Sequence, residues 1–228
     1  MNYDNLIKVK PAVFFNTNVP LKLVLDSAEI KTWEQGQKEE LKSNNLPADW
    51  ADIGVVYEDR FLVILRDLVE FPSGEKRGYS RLFNRAALEN GAAGVVVLPE
   101  MNGKFLLLHQ FRHATRSWHW EIPRGFGEPG TPAEKQARKE IQEEVDGSIK
   151  TITPLGILHN NTGLEGNDVY LFLANLNSVG KPTAEEGIDR YIWVSLAELE
   201  EMIANSKITD GFTIAAYTRA KLQGLLVE

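Results

Sequence analysis

The chain has 228 residues, 43% of them hydrophobic, a net charge of −7 and no cysteine. That length and apolar content suffice for a sizeable core in one domain, or in one domain with an attached subdomain, while the missing cysteines exclude disulfides and thiolate metal sites. The acidic balance argues against a broad nucleic-acid or anionic-membrane surface and leaves room for a local basic pocket that takes a small anion. Lys8 and Lys10 interrupt the first apolar stretch, so neither a signal peptide nor a membrane span is expected and the cytoplasm is the default address.

Residues 1 to 50 carry two short apolar pieces, Ala12 to Phe15 and Leu21 to Leu25, and a helix predicted from Ser27 to about Leu41. No chemistry is assigned to them; they are expected to pack on the rest of the chain or on a second subunit. Three strands follow, Gly54 to Glu58, Phe61 to Leu68 and Gly78 to Asn84, with Pro72-Ser73-Gly74-Glu75 turning between the last two. They read as a small antiparallel sheet. Gly91 to Pro99 and Lys104 to Phe111 are nearly continuous apolar runs joined by a hairpin turn, Glu100 to Gly103, and are expected to be central strands. Trp118 and Trp120 alternate around His119, so both rings share a strand face; core packing is preferred there over a base-stacking platform. The four histidines, His109, His113, His119 and His159, form no metal-ligand spacing.

The stretch from Glu121 to Gly147 organises the rest. Thr131, Pro132 and Glu134 spell a capping box with proline at the first helical position, and Asp146-Gly147 marks the helix end through a left-handed glycine. Ala133, Ala137, Ile141 and Val145 recur every fourth residue as an apolar stripe that suits packing on a sheet. Glu140, Glu143 and Glu144 stand at i, i+3 and i+4 and border that stripe, so three like charges crowd together near the core. Alone, such a cluster is most often a solvated helix face. A divalent cation would relieve the repulsion, and an all-oxygen set suits Mg²⁺ or Mn²⁺ over zinc. Gly125, Gly127 and Gly130 let the preceding loop approach a phosphate closely, and the helix N-terminus adds amide donors.

Beyond this stretch, Ile152 to Leu158 and Asp168 to Leu176 are predicted strands joined by a polar loop, residues 159 to 167, that holds Glu165. An acidic loop, Ala184 to Asp189, precedes a strand from Arg190 to Val194. Ser195 and Glu198 form a capping box for a helix to about Asn205, and Asp210 to Gly224 supplies a final helix.

The stretch from Gly125 resembles the Nudix box, in which Gly, five residues, Glu, seven residues and Arg-Glu are followed by an aliphatic, any residue, Glu-Glu, any residue, Gly and an aliphatic. Glu140, Ile141, Glu143 and Glu144 keep register. Thr131 stands where the family has its first Glu, Lys139 replaces Arg, Asp146 replaces Gly, and Gly147 replaces the last aliphatic. In the family the missing Glu and Arg tie loop to helix, and the Thr131 capping box is the candidate replacement brace. Gln110-Phe111-Arg112 and Trp118-His119-Trp120-Glu121-Ile122-Pro123 resemble segments of the ADP-sugar branch of Nudix enzymes.

The resemblance covers about residues 50 to 228. It implies a Nudix-type α/β/α sandwich with a mixed sheet, residues 89 to 228, behind an N-terminal β-rich part, residues 1 to 88, through which a homodimer is expected. It further implies Mg²⁺-dependent hydrolysis of the diphosphate bond of a small nucleoside diphosphate derivative, ADP-ribose or a related nucleotide sugar. The metal would be held by Glu140, Glu143, Glu144 and the Arg124 backbone carbonyl. Arg112, with Arg116, Arg124 and Gly125, would bind substrate, and Glu186, or next Glu185, would assist the attacking water. The alternative is a sensor or regulatory domain with weak or no turnover, for which Thr131, Lys139 and Asp146 are the evidence; against it, all three box glutamates remain.

Overall fold

The computed structural model describes residues 1–226 and divides the chain into two compact units: Met1–Arg85 with Asn161–Gly166, and Ala86–Asn160 with the segment from Asn167 onward.

The first unit starts with a helix that the sequence pattern did not reveal, α1 (Tyr3–Val9), because seven residues with a single buried position, Leu6, leave too little periodicity to read. Strand β1 (Lys22–Leu23) precedes helix α2 (Ser27–Ser43), whose N-cap Asp26 accepts from the backbone N–H groups of Ala28 and Glu29. Strands β2 (Gly54–Glu58), β3 (Leu62–Glu70) and β4 (Lys76–Asn84) form the expected antiparallel sheet. β4 pairs with β3 along its full length, whereas β2 and β1 pair with its two halves, opposite Val63–Arg66 and Val69–Glu70 respectively. The β3–β4 turn closes where Phe71 N–H donates to the Glu75 carbonyl at 2.8 Å. Segment Asn161–Gly166 joins this unit through β4, since Leu82 N–H donates to Leu164 O (2.8 Å) and Gly166 N–H to Leu82 O (3.0 Å).

One charge is buried in this unit. Asp67, 1% exposed, accepts from the Tyr3 hydroxyl (2.5 Å) and from Arg81 Nε (2.6 Å), and burial together with the Asp67 charge raises the Tyr3 pKa. The Arg81 guanidinium also donates to the Val13 carbonyl and lies over the rings of Phe14 and Phe83.

Helix α3 (Arg85–Asn90) starts at the boundary residue, and the second unit continues from it through β5 (Gly94–Met101), β6 (Lys104–Arg112), β7 (Ser117–Glu121), β8 (Arg124–Gly125), α4 (Ala133–Val145), β9 (Ser148–Leu158), β10 (Val169–Ser178), β11 (Ile188–Val194), α5 (Leu196–Ala204) and α6 (Gly211–Leu222). The mixed sheet runs β11-β6-β5-β10-β9, with β5 and β10 parallel and the other pairs antiparallel. The central strands are apolar on both faces because both are covered. Val95, Val97, Leu106 and Leu108 pack on Ala137, Ile141 and Val145 of α4. Val96, Leu98, Phe105 and Leu107 pack on Leu199 of α5 and on Ala216 and Ala220 of α6. This is the α/β/α sandwich expected.

The feature that makes a site is a parting of strands. β5 and β6 pair only beside their hairpin turn, at Glu100–Phe105 and Met101–Lys104, where Asn102 and Gly103 both have positive φ. Further along, β7 takes the edge of β6, from Leu108–Glu121 to Arg112–Ser117, and β8 takes the edge of β5, at Val95–Gly125 and Val96–Arg124. The sheet is thereby opened, and the loop leading to α4 starts in the opening.

Both ends of α4 differ from expectation. Pro132 is the N-cap with ψ of 143°, so the helix starts one residue later and Thr131 forms no side-chain cap. At the other end Asp146, not Gly147, takes the left-handed turn (φ 47°). Gly147 is required for another reason: a Cβ there would lie 2.8 Å from Ile141 Cγ2 and 3.2 Å from the Ser178 carbonyl. The capping box of α5, Ser195 with Glu198, forms as predicted.

Replacing Asp67 by alanine leaves Arg81 and Tyr3 without their shared acceptor, and we expect the first unit to lose about 3 kcal/mol, the lower end for breaking a buried charged pair because Arg81 is partly exposed. Urea unfolding followed by far-UV circular dichroism measures it; a loss under about 1 kcal/mol would show that the network adds little.

Candidate active site

A cavity of about 400 Å³ lies in the second unit where the strands part, with Gly94, Val95, Val96 and Val169 in its lining. Arg112, Arg124, Glu128, Lys139, Glu140, Glu143, Glu144 and Glu186 line it, so cations and carboxylates border the same space. Each arrives from a different piece of local structure.

Helix α4 presents the glutamates in two environments. Glu140 and Glu144 are 8% and 4% exposed because they adjoin the apolar stripe, whereas Glu143 is exposed. Glu140 Oε1 accepts a 2.6 Å hydrogen bond from Gln136, which is itself buried, and the carboxyl group is pressed against Gly125, where an added Cβ would come within 2.2 Å of it. The first box glycine is therefore needed for a side chain, in addition to any ligand. Gly127 serves the chain likewise, a Cβ there meeting the Ala93 carbonyl at 2.3 Å. Burial raises the pKa of Glu140. Burial first, and then the charge of Glu140, pushes Glu144 up to about 8 against the opposing pull of Arg112 and the Arg124 backbone amide. Glu144 Oε2 is buried with no hydrogen-bond partner.

Glu186 is carried to the cavity by ties at both ends of its loop. Thr183 donates its hydroxyl to the Glu143 carbonyl and its N–H to the Glu144 carbonyl at 2.9 Å, which fastens the loop to α4. Gln110, 3% exposed on β6, donates to the Glu186 carbonyl at 2.8 Å, and Phe111 N–H donates to the Gly187 carbonyl at 2.9 Å. The glutamine of the Gln-aromatic-Arg segment thus holds a loop. Glu185 is not among the residues lining the cavity, and Glu165 pairs with Leu82 in the first unit.

The two arginines meet on one buried carboxylate. Glu121, at the end of β7, is 2% exposed. Its Oε2 accepts from Arg112 Nε and Nη2 (2.8 and 2.5 Å) and from Arg124 Nη2 and Nε (3.1 and 3.4 Å). Arg124 also lies 3.6 Å from Asp210 and over the Phe212 ring, 4.7 Å from its centroid. Arg116 lies elsewhere, in the β6–β7 turn with φ of 54°, against His113 and the Phe111 ring, and does not line the cavity.

The brace between loop and helix is also different from the one expected. Thr131 does not cap; instead Lys139 forms an ion pair with Glu128, and the Glu128 N–H donates to Gln136 Oε1 at 3.4 Å. Lys139 reaches an acid three positions before Thr131 in the loop, and also lies 3.4 Å from Glu143. Trp118 departs from the core packing preferred for it: it is 47% exposed, with its ring stacked on His109 at 4.7 Å, whereas Trp120 packs against the core. Glu121, Gln136 and the Glu128–Lys139 pair were not legible as site residues. For Glu121 one signal was available, its place between Trp120 and Ile122 in the Trp118-to-Pro123 segment.

Among the described residues no three carboxylates or imidazoles converge as ready-made ion ligands, because Glu140 is turned to Gln136 and Glu143 to Lys139. The donor chemistry nevertheless fits a hard divalent cation: two buried carboxylates crowd each other, and the buried Glu144 Oε2 is unpaired.

The NUDIX domain model matches residues 89–212. An ADP-ribose pyrophosphatase of Mycobacterium tuberculosis (strain ATCC 25618 / H37Rv) is 29% identical over 154 residues, covering 66% of this chain and 72% of that protein. An ADP-ribose pyrophosphatase of Bacillus subtilis (strain 168) is 24% identical over 174 residues, 75% of this chain and 91% of that protein. A CMP-5'-(N-acetyl-N-hydroxy-3-aminopropyl)phosphonate hydrolase of Streptomyces rubellomurinus (strain ATCC 31215) is 25% identical over 162 residues, 70% and 76% of the two chains. A crystal structure of an ADP compounds hydrolase shares the fold, with a TM-score of 0.63 at 19% identity over 76% of this chain and 94% of that one. Because the matched domain takes in more than half of the sequence, the chain belongs to the Nudix family and is a Nudix hydrolase.

Proposed function

We propose that the protein hydrolyses the diphosphate bond of ADP-ribose or a related nucleotide sugar, with Mg²⁺ or Mn²⁺ held by Glu140, Glu143, Glu144 and the Arg124 backbone carbonyl. The observation that carries this reading is that two arginines, Arg112 and Arg124, and four helix and loop glutamates, Glu140, Glu143, Glu144 and Glu186, line one cavity of about 400 Å³. Diphosphate needs the first set and divalent cations need the second. The ADP-ribose pyrophosphatases of M. tuberculosis and B. subtilis support the choice of substrate.

A bound divalent cation polarises a diphosphate and lowers the pKa of water beside it. The chain's own groups do the rest. Arg112 pairs its planar fork with phosphoryl oxygens and offsets the charge that develops there, and Arg124 adds a second cation beside it. Gly125 keeps the loop backbone close to Glu140 and to substrate. Glu186 accepts a proton from the attacking water as its oxygen bonds to one phosphorus. The bridging P–O bond breaks, and the other phosphate leaves with the electron pair. For ADP-ribose the products are two phosphate monoesters. Arg116 and Glu185 are left outside this scheme by their positions.

We further propose a homodimer formed through the N-terminal part and a cytoplasmic location. Among the described residues no helix is long and apolar enough to cross a membrane. Light scattering should return twice 25.6 kDa; a monomer would overturn the dimer.

A panel of ADP-ribose, ADP-glucose, CDP-choline, dinucleoside polyphosphates and NADH, assayed with Mg²⁺ or Mn²⁺ and a coupled phosphatase, should show highest turnover on ADP-ribose or ADP-glucose. Turnover confined to the other classes would refute the substrate assignment. Glu144→Gln preserves shape and removes ligand charge, so kcat should fall by about 100-fold or more while the circular dichroism spectrum is unchanged. Retained activity with unaltered metal dependence would sink the assignment of Glu144. Gly125→Ala should displace the Glu140 carboxyl and lower kcat by roughly 10- to 100-fold; wild-type kinetics would show that Glu140 has room to move.

A further inference from the structure

We propose that Glu121 is a positioning residue whose single carboxylate sets Arg112 and Arg124 at the spacing that grips a diphosphate; the proposal rests on the reading of the cavity given above. A carboxylate that is 2% exposed needs full compensation, since burying a charge without partners is strongly unfavourable. Here the compensation is two guanidinium groups on the same oxygen, Oε2, at 2.5–2.8 Å for Arg112 and 3.1–3.4 Å for Arg124. Both forks engage it through their Nε and Nη2 edge, so Nη1, on the other edge, is not used by Glu121. Both side chains line the cavity, about a quarter exposed (27% and 25%). Two positive groups that would otherwise repel are thereby locked side by side.

The two arginines depend on Glu121 unequally. Arg124 is also held by Asp210, which caps α6 by accepting from Thr213, and by the face of Phe212. For Arg112 the Glu121 carboxylate is the only ion-pair partner found among the described residues. Loss of Glu121 therefore frees Arg112 first. Because an arginine held in one rotamer loses little further freedom when it meets phosphate, freeing it weakens the grip on the diphosphate in ground and transition states alike and raises KM more than it lowers kcat.

The test uses the full chain and ADP as a diphosphate probe. By calorimetry, Glu121→Gln and Arg112→Ala should each weaken ADP binding about tenfold, and the double variant should be no weaker than Arg112→Ala alone, because Glu121 acts through Arg112. In the substrate assay Glu121→Gln should raise KM several-fold more than it lowers kcat. Independent losses that multiply in the double variant, or an ADP affinity within twofold of wild type in Glu121→Gln, would overturn the proposal. If Glu121→Gln does not fold, Arg112→Lys tests the same contact from the other side: the charge stays, the fork is lost, and an unchanged ADP affinity would refute it. Nitrogen-15 NMR of the arginine Nε–H groups decides the case even if wild type binds no ADP. That failure would sink the proposed function, whereas a slowly exchanging Arg112 Nε–H that persists in Glu121→Gln would sink the positioning role.

Discussion

Burial of carboxylates at the edge of an apolar stripe is the constraint on which the site depends. Helix α4 must lay Ala137, Ile141 and Val145 on the sheet to be stable, and the residues on either side of that stripe are then drawn out of water. Glu140 and Glu144 are those residues, and burial raises both pKa values. The helix thus holds charge where charge is unfavourable. Packing energy of the stripe maintains the arrangement, and a cation in the cavity would relieve it. Glu143, one step further round, stays in solvent and pairs with Lys139.

The same logic recurs beneath the cations. Glu121 is buried at the end of β7, and its cost is offset by Arg112 and Arg124, which are thereby turned toward the cavity. One buried acid orders the positive wall, and a buried amide, Gln136, steadies the negative one. Polar groups that look like liabilities to the core are the hydrogen-bond partners of the ionic groups of the site. The parting of β5 and β6 makes both arrangements possible, since β7 brings Glu121 alongside Arg112's strand and β8 brings Gly125 against Glu140.

The departures of the box from its family pattern have physical replacements. Without an acid at position 131, Lys139 pairs with Glu128, and the lysine's flexible stem reaches what a rigid fork need not. With Asp146 in the left-handed turn, Gly147 is free to meet the close approach of Ile141 and Ser178. These exchanges leave Glu140, Glu143 and Glu144 in register. They give no ground for reading the drifted positions as loss of the site.

Local chemistry by itself determined the repeating stripe of α4, the glutamates beside it, the antiparallel strands of the first unit, the β5–β6 hairpin and the capping box of α5. Each is set by neighbours within a few residues, through helical period, strand alternation or turn conformation. Tertiary structure alone decided which charges meet. Glu121 lies nine residues from Arg112, Glu186 lies 42 residues beyond Glu144, and Lys139 chooses Glu128 across a loop whose path depends on Pro132. Arg116 and Glu185 have the same residue types as their neighbours Arg112 and Glu186, yet the turn of the chain directs them away from the cavity. Residue type and period fix what a segment can form; the burial that pairs one charge with another exists only once distant segments have closed over it.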